Sequence, residues 1–389
     1  MNQQKKVIAL VANTSWSIYN FRLGLIRHLK NQGIEIVVIA PKDAFTAKLV
    51  AEGIEFYEIE ISNYGTNPVV ELGLIRNLVR LYKEINPQLI FHYTIKPNIY
   101  GTLAARYCGI PSVIITTGLG HLFEFKNRIV STITLFLYRI SCTFSKKTLF
   151  LNSNDLDVFV YKKVVKKSKA ILLRGEGIDL DWFSPKKVQK HPRKTIFLFA
   201  GRLLIDKGVN EYVEAAQKIR AQYKDVEFQI LGFVDQSNPN SIAYQQIIEW
   251  QHKKIISYLG ETSDVRPYLA KCDCLVFPSY YREGVSRILM EASAMECPII
   301  TTDNVGCREV VDDGINGFLV IPKDVSSLVE AIGKFLNLCI EDRQLMGKLG
   351  RSKMNREFDQ EIVFRQYDEI ISSLLEIKQG KKQQTLQNN

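Results

Sequence analysis

Along the chain, short β-rich runs alternate with stretches whose apolar positions recur at helical spacing, and the alternation persists from end to end. The runs predict strands at Val7–Ala12, Glu35–Ala40, Glu55–Glu60, Leu89–Tyr93, Ser112–Thr117, Thr148–Leu151 and Ala170–Leu173, with helices between them that include Phe21–Asn31 and Val69–Ile85. A turn-rich stretch then interrupts the pattern, from Arg174-Gly175-Glu176-Gly177 through Pro185, Lys186-Lys187 and His191-Pro192, and is expected to be a linker. Strands resume at Thr195–Ala200, Val226–Leu231, Ile255–Leu259, Cys274–Phe277, Ile299–Thr301 and Gly317–Val320. Helical segments at 324–338, 340–357 and 359–377 close the chain, and the polar tail is expected to be disordered. Strands alternating with helices imply parallel sheets covered on both faces. The expected division is an N-terminal domain 1–185, a C-terminal domain 193–358, a helix 359–378 and a tail 379–389.

A chain of 389 residues is too long for one ordinary core and suits two domains. The longest nearly apolar run, Ile129 to Ile140, is too short to span a bilayer and contains Arg139. Lys5-Lys6 before Val7–Ala12 faintly resembles a signal peptide. Asn13 ends that run and no small-residue cleavage site follows, so it reads as a buried first strand. The seven cysteines are scattered and include no C-x-x-C pair, which implies reduced thiols in the cytoplasm and no zinc.

The net charge of +10 is uneven: residues 1–190 hold 26 Lys/Arg against 14 Asp/Glu, and the remainder holds 25 against 27. Basic residues cluster at Lys126, Arg128, Arg139, Lys146-Lys147, Lys162-Lys163 and Lys166-Lys167, around a segment 128–145 rich in Ile, Leu, Phe and Tyr. Such a basic, amphipathic surface can rest on anionic lipid. A packed helix with solvated lysines fits the pattern equally well. No aromatic-and-basic module points to nucleic acid.

Two places carry candidate chemistry. The strand Phe197–Ala200 ends in Gly201-Arg202-Leu203-Leu204-Ile205-Asp206-Lys207-Gly208 before a helix. A guanidinium, an ammonium and the backbone N–H groups of a helix start form a diphosphate site in principle, although such a loop is more often merely solvated. After the strand Cys274–Phe277 comes Pro278-Ser279-Tyr280-Tyr281-Arg282-Glu283-Gly284-Val285-Ser286-Arg287-Ile288-Leu289-Met290-Glu291. Eight helical steps leave the two carboxylates roughly 80° apart and about 12 Å apart along the axis. They could accept sugar and ribose hydroxyls, or lie solvated at the ends of an amphipathic helix.

Taken together, these motifs resemble the retaining GT-B glycosyltransferases of family 4. The resemblance rests on Gly201-Arg202…Lys207-Gly208, Gly232 after a strand, Arg282-Glu283-Gly284 with Glu291, and Gly306-Cys307-Arg308-Glu309-Val310-Val311…Gly314-x-x-Gly317. In the first half it includes Asn20-Phe21-Arg22, Lys96-Pro97-Asn98-Ile99-Tyr100-Gly101, Gly118-Leu119-Gly120 and Gly177-Ile178-Asp179…Phe183-x-Pro185. The block Pro278-Ser279-Tyr280-x-Arg282-Glu283-Gly284 is similar to a bacterial subgroup that builds capsule, O-antigen or glycan-carrier oligosaccharides on a lipid diphosphate.

The resemblance implies two Rossmann-like α/β/α domains facing a cleft, with the last helix packing back on the N-terminal, acceptor-side domain. It implies transfer of an N-acetylhexosamine or hexose from a UDP-sugar to a polyprenyl-diphosphate-linked saccharide, with retention, at the inner face of the cell membrane. Arg202 and Lys207 would hold the diphosphate, Glu283 with the N–H groups of Gly284 and Val285 the donor sugar and phosphate, and Glu291 the ribose. Asn13, Gly118 and His121 would face the reacting centre. The leaving diphosphate would help deprotonate the acceptor, so no protein nucleophile and no cofactor is implied. Relatives usually carry Pro at Ser286, Gly at Glu296 and paired glycines at Asn13-Thr14-Ser15-Trp16, which affects the acceptor side most. Asp155-x-Asp157 and Asp179-x-Asp181 spell the metal signature of another fold, but neither ends a central strand, and no metal is expected. A nucleotide-sugar epimerase of the same fold, or an inactive membrane-associated scaffold, are the alternatives.

Overall fold

The structure, a computed structural model, describes residues 6–62, 67–119, 128–185, 193–235 and 238–387, with side chains up to residue 375 apart from that of Arg128. Contacts divide the chain into two units, residues 1–176 with 360–389, and residues 177–359.

The first unit is built on seven strands: β1 (Lys6–Val11), β2 (Ile34–Ala40), β3 (Glu55–Glu58), β4 (Leu89–Tyr93), β5 (Ser112–Thr116), β6 (Lys147–Phe150) and β7 (Ala170–Leu172). They pair in parallel in the order β3-β2-β1-β4-β5-β6-β7. Ile8 to Val11 are fully buried because both faces of the sheet are covered. Helix α1 (Ser15–Asn31) begins six residues before its apolar spacing becomes legible, because the Thr14 hydroxyl accepts from the Ser17 N–H and caps it. Helix α2 (Pro68–Ile85) starts where Asn67 accepts from Val69 N–H ahead of Pro68. Helix α3 (Arg128–Phe144) precedes β6, and α4 (Ser153–Tyr161) follows it.

The second unit has six parallel strands: β8 (Thr195–Ala200), β9 (Val226–Leu231), β10 (Ser257–Tyr258), β11 (Cys274–Phe277), β12 (Ile299–Thr302) and β13 (Gly317–Val320). Their order is β10-β9-β8-β11-β12-β13. Helix α5 (Val209–Gln222) follows β8 and α6 (Arg287–Ala294) follows β11; α7 (Val325–Asn337) and α8 (Ile340–Lys353) come after β13. The core stacks Phe197 on Phe228 with centroids 5.0 Å apart, and the buried Tyr212 hydroxyl donates to Phe197 O and Gln229 O.

The last helix, α9 (Gln360–Gln387), returns to the first unit, as the resemblance implies. Its Tyr367 hydroxyl lies 3.2 Å from that of Tyr93, Asp368 lies 2.9 Å from His28 Nε2, and Gln366 donates to Leu172 O. The two parallel-sheet α/β units are the fold the sequence implies. Among the described residues, no helix is long and apolar enough to cross a membrane.

Candidate functional site

In an open parallel sheet, ligands bind beyond the carboxyl ends of the strands where the strand order reverses. In the second unit that point lies between β8 and β11, whose following loops are Gly201–Gly208 and Pro278–Ser286. The two loops are sewn together. Tyr280 N–H and Tyr281 N–H both donate to Asp206 O at 3.0 Å, and Thr302 Oγ1 at the end of β12 donates to Ser279 O and holds the second loop from its other side. Gly208 sits in the left-handed region at φ 79°, and a Cβ there would lie 2.2 Å from Pro278 O, so only glycine permits this approach.

The loop cations differ in environment. Lys207 is buried; its ammonium donates to the Glu283 carboxylate and lies 4.3 Å from the Tyr281 ring centroid. Arg202 is exposed, with no ion pair or side-chain hydrogen bond among the described residues. Glu283 is positioned by the 304–309 loop. Its N–H donates to Val305 O, and the Ser286 N–H donates to Gly306 O at 2.8 Å. Gly306 has φ 86°, and a Cβ there would meet the Glu283 Cβ at 2.3 Å. The Glu309 carboxylate accepts from Gly306 N–H at 2.7 Å and fixes the loop from the other side. Cys307, buried beneath it, has its thiol pushed up to about 12, mainly by burial and then by the Glu283 charge, and is inert as a nucleophile.

Gly284 is buried and Val285 half-buried on the way into α6, which opens at Ser286 without a side-chain cap. First-turn N–H groups there suit an anion. One turn on, Arg287 Nε donates to Glu291 Oε1 at 3.0 Å, and Arg287 Nη1 donates to Gly177 O at 2.8 Å. Burial raises the Glu291 carboxyl above its usual range, and Arg287 opposes that shift. No sequence motif assigns Arg287 a role, although its i,i+4 spacing to Glu291 is a legible signal. Glu296 lies just past the α6 C-cap at φ 57°, a position that favours glycine. Gly232 follows β9 and donates to Gly260 O at 2.8 Å beside the Gly201 turn.

The first-unit residues are more scattered. Asn13 is partly exposed after β1, but its neighbours are committed elsewhere: Thr14 caps α1, and the Ser15 hydroxyl donates to Pro41 O at 2.7 Å. Gly118 follows β5, and the next N–H, of Leu119, donates to Asp155 Oδ2. His121 lies outside the described residues. One aspartate of each Asp-x-Asp pair is engaged in local hydrogen bonds. Asp155 also accepts from Asn152 Nδ2, and Asp179 Oδ1 accepts from the N–H groups of Asp181 and Trp182.

Helix α3 leaves Ile129, Ile133 and Phe136 exposed. Arg139 on the same helix donates to Lys162 O and Lys163 O, and Lys169 donates to the carbonyls of Cys142, Thr143 and Ser145 at the helix end. These bonds tie the Lys162–Lys163 backbone and Lys169 to the C-terminal half of α3.

Comparison with known proteins adds three kinds of likeness. Residues 181–353 match the family described as glycosyl transferases group 1, and residues 7–154 match glycosyl transferase 4-like. A Campylobacter jejuni N,N'-diacetylbacillosaminyl-diphospho-undecaprenol alpha-1,3-N-acetylgalactosaminyltransferase is 29% identical over 377 residues, covering 92% of this chain and 96% of that protein. An Escherichia coli UDP-Gal:alpha-D-GlcNAc-diphosphoundecaprenol alpha-1,3-galactosyltransferase is 26% identical over 66% of this chain and 69% of its own. Among solved structures, HepE of Anabaena in complex with UDP superposes with a TM-score of 0.75 at 18% identity, covering 94% of this chain and 99% of that one. That last likeness is one of fold.

Proposed function

We propose that this chain, a glycosyltransferase whose residues 181–353 belong to the glycosyl transferases group 1 and whose residues 7–154 belong to the glycosyl transferase 4-like family, moves a sugar from a UDP-sugar to a polyprenyl-diphosphate-linked saccharide with retention. The observation that carries the donor assignment is the meeting of Lys207 and Glu283, 76 residues apart, at the strand-order reversal of the second sheet, with Arg202 exposed in the same loop. A diphosphate would take the guanidinium, the ammonium and the uncapped start of α6. Glu283 would then exchange Lys207 for donor-sugar hydroxyls, and Glu291 would accept from the ribose. Asn13, Gly118 and His121 would contribute from the acceptor-side unit.

In the reaction, the bond between the anomeric carbon and the β-phosphate oxygen breaks as the acceptor oxygen bonds to the same face of that carbon. The acceptor's proton passes to the departing phosphate oxygen. Arg202 and Lys207 stabilise the charge growing on the diphosphate, an effect worth several kcal/mol in a water-poor site. The relatives named above act on undecaprenyl-diphosphate saccharides, which supports a lipid-linked acceptor. The exposed apolar residues of α3 and the exposed Lys162, Lys163, Lys166 and Lys167 would suit the anionic inner surface of the cell membrane, where such an acceptor would be met.

The test is a panel of UDP-sugars with short-chain polyprenyl-diphosphate saccharides, with the anomer of the product assigned by NMR. Transfer with the donor's configuration kept is expected. Conversion of the free donor without acceptor, or inversion in the product, would refute the reading. Sedimentation with phosphatidylglycerol vesicles, lost on Ile133→Glu and Phe136→Glu together, checks the membrane part.

A further inference from the structure

The strand order of the first unit also reverses, between β1 and β4, and the chain beyond β4 and β5 is unusually built. Thr94, directly after β4, adopts φ 70°, a region that a β-branched residue enters only under constraint. The β4–β5 register places Tyr93 opposite Ile115, so Thr94 and Thr116 come next on the two strands. A π-helical turn, Pro97–Gly101, follows, a form concentrated at functional sites. Asn98 inside it is fully buried and is tied to both strand ends: its N–H donates to Thr94 O, and its Nδ2 donates to Ile115 O and to the Tyr138 hydroxyl. Lys96 donates to Glu71 Oε1 at 2.5 Å, and Glu71 is itself buried.

Among these residues four buried oxygens have no hydrogen-bond partner among the described residues: Thr94 Oγ1, Thr116 Oγ1, Asn98 Oδ1 and Glu71 Oε2. Buried polar atoms are ordinarily paired, so these four ask what pairs them. All four can accept, two can also donate, and Lys96 balances the charge of Glu71. That set suits a neutral ligand rich in hydroxyl or amide N–H donors and disfavours a phosphate. We propose that the ends of β4 and β5, with Thr94, Thr116, Asn98 and the Lys96–Glu71 pair, form a saccharide subsite that takes hydroxyls of the acceptor sugar. This rests on the transferase reading above, and it adds acceptor contacts to those proposed for Asn13 and Gly118. The strain at Thr94 holds its hydroxyl at the subsite, and the π-turn supplies the Asn98 carbonyl oxygen.

The test uses Thr94→Val and Thr116→Val, each removing one hydroxyl at constant shape, with Thr94→Ser and Thr116→Ser as rescues that keep it. Binding of a short-chain polyprenyl diphosphate N-acetylglucosamine is measured by titration calorimetry, independently of turnover, and transfer kinetics with the same probe follow. Each Val variant should bind the probe about tenfold more weakly, the loss of one buried hydrogen bond. Its acceptor KM should rise in proportion while its donor KM stays within about twofold, and the Ser variants should recover. Unchanged probe affinity in the Val variants, with only the melting temperature moved, would mean that ordered water alone pairs these oxygens, and it would overturn the subsite. A wild-type protein that fails to bind the probe would overturn it too. Weakened binding in the variants with no transfer by the wild type would leave the subsite standing and refute the proposed reaction on this acceptor.

Discussion

At the scale of single residues, the candidate donor site depends on one buried exchangeable contact. Lys207 is held by Glu283, and a diphosphate would have to compete for that ammonium. Glu283→Ala should therefore abolish transfer, leave the protein folded, and leave UDP affinity undiminished, because the rival for Lys207 is gone. A transfer assay beside UDP titration checks this, and near-normal transfer would sink the donor-site assignment. Gly306→Ala adds a Cβ where Glu283 already stands and strains a left-handed residue. It should cost about 1–3 kcal/mol of stability and most of the activity, read by chemical denaturation and by the same assay. The sequence made Arg202, Lys207, Glu283 and Glu291 visible because each follows a strand in a characteristic block. It could not show that Lys207 and Glu283 touch, or that Gly306 seats Glu283, because those contacts arise between loops distant in sequence.

At the scale of elements, strand and helix positions were legible wherever period and composition agreed. Leu89–Tyr93, Thr195–Ala200, Val226–Leu231, Cys274–Phe277 and Gly317–Val320 are strands to the residue. The first turn of α1 was not legible because its inward positions include Ser15 and Ser17, buried hydroxyls that read as surface. The start of β10 was misplaced for a related reason: the apolar Ile255 and Ile256 are buried before pairing begins at Ser257. On α6, the Arg287–Glu291 pair has a consequence for pH. Burial raises the Glu291 carboxyl, and Arg287 draws it back. Ribose hydroxyls would bind the ionised form, so donor affinity should fall as pH drops through that raised value. Arg287→Ala removes the lowering influence, so the loss should begin at higher pH. Donor KM measured from about pH 8 to about pH 5 decides the matter, and superimposable profiles for the two proteins would count against it.

At the scale of the whole molecule, the alternation of strands and helices revealed two parallel sheets, and their strand orders locate where ligands should meet each one. Less visible was the buried polar machinery of the first unit, whose residues look like ordinary strand and loop positions. His92 is an example: fully buried, with Nε2 2.9 Å from the Tyr82 hydroxyl and Nδ1 3.2 Å from the Thr102 hydroxyl. Burial lowers its pKa from the usual 6.5 to about 3. Between those values the unfolded chain binds a proton that the native protein does not, so stability is full above the upper value and is lost as pH falls toward the lower one. Going from about pH 7 to about pH 5 should cost about 2 kcal/mol through this group. Urea denaturation of the wild type and His92→Gln at both pH values checks it, and equal pH slopes would contradict it.

The central claim is that the second unit grips the diphosphate of a nucleotide sugar through Arg202 and Lys207. Titration calorimetry of UDP against the wild type, Arg202→Ala and Lys207→Ala tests it most directly. The expected result is binding by the wild type and a loss of about tenfold or more in each variant, as charge-assisted hydrogen bonds to phosphate are removed. Absence of UDP binding by the wild type, or equal affinity in all three proteins, would contradict it.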